Sequence, residues 1–490
     1  MEHFKNFTKC IIFMLILGVS LCQINQVLEQ KAVLVNNEWP STSTYKQFYK
    51  MDRDSVDVLF LGSSVVANAF VPQVIYDEYG IRSYNLSAEQ QSLFLNYYWL
   101  KEALRFQSPK VVVLDLKFLC DMHEGSPINM DEGLIRKSLD PMKWSPVKME
   151  AVHTLCGLDD NQTEKSYYLS NIRYHGRWTD LNEYDFDKEY MYSVPLYGYA
   201  PTDVLGEDTF DTYIQGDTGI TTDFQPVMQE YLDKIVALCN ENGITLVTID
   251  LPGNYMDDAI NNTHQLYSQF NHVDYYNLCS TELYNQIGAV LPYENVVNHQ
   301  NYAGAIKTSH FIGGLLRNNY GIQPTVDQQY ESSKGVYEKI IADYELAKIY
   351  DMNQYFDALH DDHYAVFVAS CGDSADIMND NIKANMKKLG LTVIDYVPQE
   401  LSYYAVIIEN EVAKEEYSAD QIGFMGELRN RKISYSIDSC GRISDGYSSI
   451  VIDDLEYSRM QKGLNVVAYD LDTGKVVDSV TIIDDTLIRD

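Results

Sequence analysis

The stretch Val56-Asp57-Val58-Leu59-Phe60-Leu61-Gly62-Ser63-Ser64 decides the fold. Its apolar run is near-continuous rather than alternating, as in a strand buried on both faces of a parallel sheet. It ends in Gly-Ser-Ser, and a helix-compatible segment follows Pro72. Such a strand delivers a hydroxyl to the C-terminal edge of the sheet, where open α/β folds place their sites. Gly62 permits a tight turn, and the N–H groups of the helix that follows can face a developing oxyanion. On this stretch alone, a serine that only caps a helix reads the same way.

Strand and helix patterns alternate outward from it. Tyr84-Asn85-Leu86-Ser87 ends a second short strand, and Tyr97, Leu100 and Leu104 mark a helix. Residues 109–116 (Pro-Lys-Val-Val-Val-Leu-Asp-Leu) form a third buried strand. Met228, Tyr231, Leu232, Ile235 and Leu238 lie at helical spacing over 226–242. Asn242-Gly243 then leads into a strand at 244–249, and another strand surrounds 273–276. This repetition predicts an α/β fold, a three-layer α/β/α sandwich with a parallel sheet. Segment 120–225, rich in aromatics and acids, interrupts the alternation and is predicted to be a helical insertion.

The 490 residues exceed one ordinary core, so two domains are expected. With 46% hydrophobic residues and 39 Tyr the chain can bury large cores, and its net charge of −34 argues against nucleic acid or an anionic membrane surface as the main partner. Lys5 and Lys9 precede an apolar run from Cys10 to Cys22, which reads as a targeting segment. Residues 1–24 are therefore expected to be a signal-anchor, or a signal peptide if cleaved; Leu21 makes a lipobox at Cys22 the weaker option. The bulk of the chain would then be extracytoplasmic. Residues 25–50 read as a stalk.

Near position 300 the chain runs Asn298-His299-Gln300-Asn301-Tyr302-Ala303-Gly304-Ala305 and enters a helix through Phe311, Leu315 and Leu316. A histidine in such a loop serves a serine on another strand end as general base, given hydrogen-bond reach. With these blocks in order, residues 51–325 resemble an SGNH/GDSL hydrolase of the membrane-anchored, bacterial cell-envelope type. The carriers are Phe60-Leu61-Gly62-Ser63-Ser64, Tyr84-Asn85-Leu86, the strand at 111–116, and His299 to Ala305. The resemblance implies Ser64 as nucleophile and His299 as its base. It places an oxyanion hole at the backbone of Ser64 and the Ser87 loop, with Ser63 and Asn85 beside it. An Asp three residues before the His is usual in the family, and Val296 stands there instead. Glu294 and Asp121 are the acids that remain to orient the imidazole. The family's third-block Asn is also missing near Leu119.

Within the insertion, Arg173-Tyr174-His175-Gly176-Arg177-Trp178 is a basic, aromatic cluster in a very acidic chain. Arg173, His175, Arg177 and Trp178 are candidate contacts for a carboxylate or phosphate and a sugar ring; salt-bridged arginines at a helix end are the other reading.

A linker helix is predicted over 326–352, followed by a mostly-β α+β domain over 353–490. Its strands include 364–370, 404–409, 448–452 and 463–469, with a hairpin turn at Asp472-Thr473-Gly474. Phe367-Val368-Ala369-Ser370, Met378-Asn379-Asp380 and Lys462-Gly463-Leu464-Asn465-Val466-Val467 resemble the interleukin-like EMT inducer (ILEI/PANDER) domain, with the block order permuted. That resemblance implies glycan binding by analogy. Cys371 and Cys440, each in Ser-Cys-Gly, are the pair to consider for a disulfide, with two free thiols the alternative. His360, Asp361, Asp362 and His363 read as a solvated edge rather than a metal site.

Two functions follow as expectations. One is an envelope esterase or O-acyltransferase acting on a cell-surface polysaccharide by a Ser-His mechanism, beside a membrane-bound O-acyltransferase. The other is a catalytically degenerate glycan-binding or assembly protein. Neither implies a metal or cofactor.

Overall fold

The structure is a computed structural model describing residues 2–28, 41–120, 128, 130–169, 171–181, 183–186, 196–203, 215–216, 218–252, 258–289, 294–296, 299–373, 377–392, 401–428, 433–442 and 446–489. The chain divides into two compact units, Met1–Tyr337 and Glu338–Asp490.

The first unit is α/β. Strands β1 (Val58–Gly62), β2 (Ser83–Ser87), β3 (Val111–Asp115), β4 (Thr245–Asp250) and β5 (Asp274–Asn277) form one sheet in the order β2-β1-β3-β4-β5. All its pairings are parallel. The near-continuous apolar runs arise because both faces are covered. Leu59, Leu61, Val112 and Leu114 pack with Trp99, Leu100, Tyr231 and Ile235 from helices Leu93–Ala103 and Pro226–Glu241. Val58, Phe60, Val111 and Val113 face the other way, onto Val65, Ile75, Ile312 and Leu316. The strand order reverses between β1 and β3, and such a switch point leaves a crevice at the carboxyl ends of the strands.

Two expectations need adjustment. Within the span read as a stalk, Ser41–Phe48 is a helix whose Tyr45 and Phe48 are buried, Tyr45 stacking on Trp99 at 4.0 Å. The apolar positions are few, but they are large aromatics on one side of a short helix, and burying them outweighs the polar residues between. Gly62 is absent from the left-handed region. It is required instead by close approach, since a Cβ there would lie 2.4 Å from Val66 Cγ2 and 2.9 Å from Asp115 Cβ. Short strands β6 (Asn295–Val296) and β7 (His299–Gln300) pair as a separate antiparallel hairpin.

The second unit is mostly β. Strands β8 (Tyr364–Cys371), β9 (Ser402–Ile408), β10 (Glu411–Ser418), β11 (Ile422–Leu428), β12 (Ile433–Cys440), β13 (Tyr447–Ile452), β14 (Leu455–Glu456), β15 (Gly463–Asp470), β16 (Lys475–Ile483) and β17 (Thr486–Ile488) form a single sheet. Helices Met352–Leu359 and Asp380–Lys388 cover one face through Phe356, Ile382 and Met386. On the other face Phe367 of β8 meets Tyr435 of β12 at 5.0 Å between ring centroids. Strands β10 and β11 escape a sequence reading because both are largely exposed and rich in Glu, Lys and Gly.

Candidate active site

Ser64 opens the helix Ser64–Ala69 directly after β1, at the switch point of the sheet. Ser63 takes the capping position, with extended backbone and no side-chain bond into the helix. The Ser64 hydroxyl is therefore not spent on a cap. Its Oγ lies 2.9 Å from Nε2 of His299, across 235 residues of chain. Ser64 is 6% exposed and His299 is half-buried. A nucleophile and a base in this contact are the minimum for hydroxyl activation.

The histidine is held by the hairpin and the helix that follows it. Val296 pairs with His299 across β6 and β7, and Asn301 caps helix Tyr302–Asn318 by accepting from Gly304 N at 3.2 Å. Asn301 N also donates to Glu294 O at 3.2 Å. Gly304 is the residue that allows this closure: a Cβ there would sit 2.5 Å from Glu294 O. Segment 196–203, which carried no sequence signal, ties the two halves together. Asn68 Nδ2 donates to Ala200 O at 2.6 Å, Ala200 N donates to Ala67 O at 2.9 Å, and Tyr302 N donates to Thr202 O at 2.8 Å. The helix of Ser64 and the helix behind His299 thus share one backbone clamp.

Ser87 ends β2 in register with Gly62, so it stands beside the end of β1 that leads into Ser64. The hydroxyls of Ser63 and Ser87 are buried without a partner among the described residues. Asn85 is committed elsewhere, since its Nδ2 donates to Phe70 O at 2.8 Å and its N to Tyr197 O at 2.9 Å. Glu294 lies at the start of the same hairpin as His299, and its carboxylate is paired with Lys307 Nζ at 2.8 Å. Asp121 lies outside the described residues.

The carboxyl ends of β3 and β4 carry a second group of buried polar side chains that sequence reading missed. Asp250 accepts from His264 Nδ1 at 2.8 Å, and from Tyr275 Oη and Asn261 Nδ2. Burial opposes its charge, yet these partners hold Asp250 below the usual carboxylate range. Asp115 has less help: among the described residues neither of its buried oxygens has a close partner, and Lys117 offsets only part of the penalty. Burial, with the charge of Asp250 added, pushes Asp115 up to about 8. Its only sequence signal was an acid closing an otherwise apolar strand.

The remaining candidates are dispersed. Arg173 pairs with Glu132 at 2.9 Å, Arg177 with Asp185 at 2.7 Å, and His175 Nδ1 lies 3.0 Å from Ile172 O. Trp178 is exposed beside them. Cys371 and Cys440 are free, buried thiols and register partners of neighbouring strands. The segment read as a solvated edge is only partly so. Asp361, Asp362 and His363 bring ligand atoms within 4.8 Å of one another, but His363 is buried, 2.5 Å from Asp361 and 3.5 Å from Asp343. Burial opposes its charge, yet the carboxyls of Asp343 and Asp361 raise its pKa above the usual imidazole value, so it reads as a buried structural histidine. No family model and no curated protein matches the chain.

Proposed function

We propose that the first unit is an SGNH-type serine esterase or O-acyltransferase that works on acyl groups of a cell-surface polysaccharide. The observation that carries it is the 2.9 Å contact between Ser64 Oγ and His299 Nε2 at the switch point of the sheet. In this reading Nε2 takes the Ser64 proton as Oγ attacks the acyl carbonyl, then returns it to the departing alcohol oxygen. An acyl-serine remains. Water or a sugar hydroxyl, deprotonated by the same Nε2, attacks it and regenerates Ser64, giving hydrolysis or transfer respectively. Three features support the reading: the order of the sequence blocks, the parallel sheet, and an apolar helix at Asn6–Leu28 long enough to cross a membrane. The second unit, with its PANDER-like blocks, would hold the glycan and raise its local concentration. A membrane-bound O-acyltransferase is the partner this chemistry calls for.

The test is labelling of the full chain by a fluorophosphonate. The parent is expected to label, Ser64→Ala to abolish labelling, and His299→Ala to slow it by about 10³-fold or more. Ser63→Ala should retain it, because that hydroxyl has no partner among the described residues. A folded parent that stays unlabelled would sink the catalytic reading. Val296, standing where the family has Asp, would then favour the glycan-binding alternative, tested by glycan capture.

A further inference from the structure

The helix Glu2–Leu28 contains a 23-residue span, Asn6–Leu28, of mean hydropathy 2.1. At the α-helical rise this span is about 34 Å long, a few ångströms more than a bilayer's hydrocarbon core. If one end of the helix lies in one interface, Asn25 to Leu28 lie in the other. Those residues do not stand clear of the folded unit. Arg177 donates from Nη1 to Leu28 O at 2.9 Å, and Asn171 N donates to Asn25 Oδ1 at 3.2 Å. The helix end touches three short elements of the insertion, Asn171–Tyr174, His175–Thr179 and Glu183–Phe186.

These elements, with Leu169 just before them, turn large apolar side chains outward. Trp178 is 70% exposed, Phe186 64%, Leu169 51% and Ile172 48%. Singly exposed hydrophobes need no explanation, but four around the exit of a membrane-length helix do. Arg173 and Arg177 lie among them, in a chain of net charge −34. Trp and aliphatic side chains are a set that a headgroup region accepts, the ring and chains entering the acyl boundary, while the two guanidiniums are held by Glu132 and Asp185.

We propose that Leu169, Ile172, Trp178 and Phe186 form a membrane-docking face that seats in the headgroup region of the bilayer crossed by the N-terminal helix. This rests on the reading of that helix as a membrane anchor and is independent of the chemistry at Ser64. The cluster that sequence alone offered to a sugar polymer is assigned to lipid. Two attachments, helix and face, fix the orientation of the first unit on its membrane.

The test uses the full chain in vesicles of three parts phosphatidylcholine to one part phosphatidylglycerol. Co-flotation reads the anchor. Quenching of tryptophan by lipids spin-labelled at different depths reads the face, with the Trp178 component taken as the difference between parent and Trp178→Phe. The chain is expected to float, and that component to be quenched most by labels near the glycerol region and little by aqueous iodide. In Ile172→Glu/Phe186→Glu the chain should still float, with lipid quenching of Trp178 at least halved. A floating chain whose Trp178 is quenched by iodide and untouched by lipid labels overturns the docking face and leaves the anchor standing. A folded chain that does not float overturns both.

Discussion

At the scale of single residues, the chain separates hydroxyls and carboxyls that are engaged from those that are stranded. Ser64 is engaged by His299, whereas Asp115 sits behind Gly62 with no close partner for either oxygen among the described residues. Its pKa, raised to about 8 by burial and then by Asp250, has a consequence for stability. Between the unfolded carboxyl value near 3.8 and the folded value of about 8, the folded state binds the extra proton. Stability must therefore fall as pH rises through that window, by up to about 1.4 kcal/mol per pH unit from this group. Asp115→Asn removes the ionisation. Its urea midpoint relative to the parent is expected to be higher at pH 8 than at pH 5. An equal difference at both pH values would mean that Asp115 is paired and ionised throughout.

At the scale of elements, the fork in the second sheet is the point of interest. Strand β9 lies along β8 from Ala365 to Ala369, and β12 takes over that edge at a single register pair, Cys371 with Cys440. Adjacent strands lie about 4.8 Å apart, within the Cα separations that a disulfide spans. Burial pushes the Cys371 thiol up, and Cys440 adds to the shift, so the two sulfurs share one environment. We expect the pair to oxidise in a glutathione buffer. The two thiols lose two protons and two electrons to one glutathione disulfide, which leaves as two glutathione thiols. Closing the loop from 371 to 440 should stabilise the second unit by about 4 kcal/mol. Peptide mapping after maleimide blocking checks this, and recovery of both cysteines as maleimide adducts would refute it.

At the scale of the whole molecule, the two units have separate cores, and one helix, Gln328–Leu346, spans the boundary between them. Separate cores predict two calorimetric transitions. Ile450 is fully buried in the second unit, so Ile450→Ala should cost about 2–5 kcal/mol and lower one transition while leaving the other in place. A single transition that moves as a whole would mean that the units unfold as one.

How much of this was legible differs by region for physical reasons. The parallel sheet was legible because burial on both faces forces apolar runs such as Val111 to Leu114, and their period needs no tertiary context. Ser64 and His299 were legible because each lies in a short junction between a strand-like run and a helix: Ser64 opens a helix two residues after β1, and His299 stands three residues before helix Tyr302–Asn318. Strands β10 and β11 were not, since an exposed strand keeps polar residues and is stabilised by its neighbour's ladder. The clamp through 196–203 and the stranded Asp115 were not, because both depend on segments far apart in the chain meeting in space. Sequence by itself determined the α/β class, the apolar N-terminal helix, and Ser64 and His299 as the pair to examine. Only tertiary structure decided which of these groups touch. Hydrogen-bond reach of a few ångströms is a property of packing, and 235 residues separate Ser64 from His299.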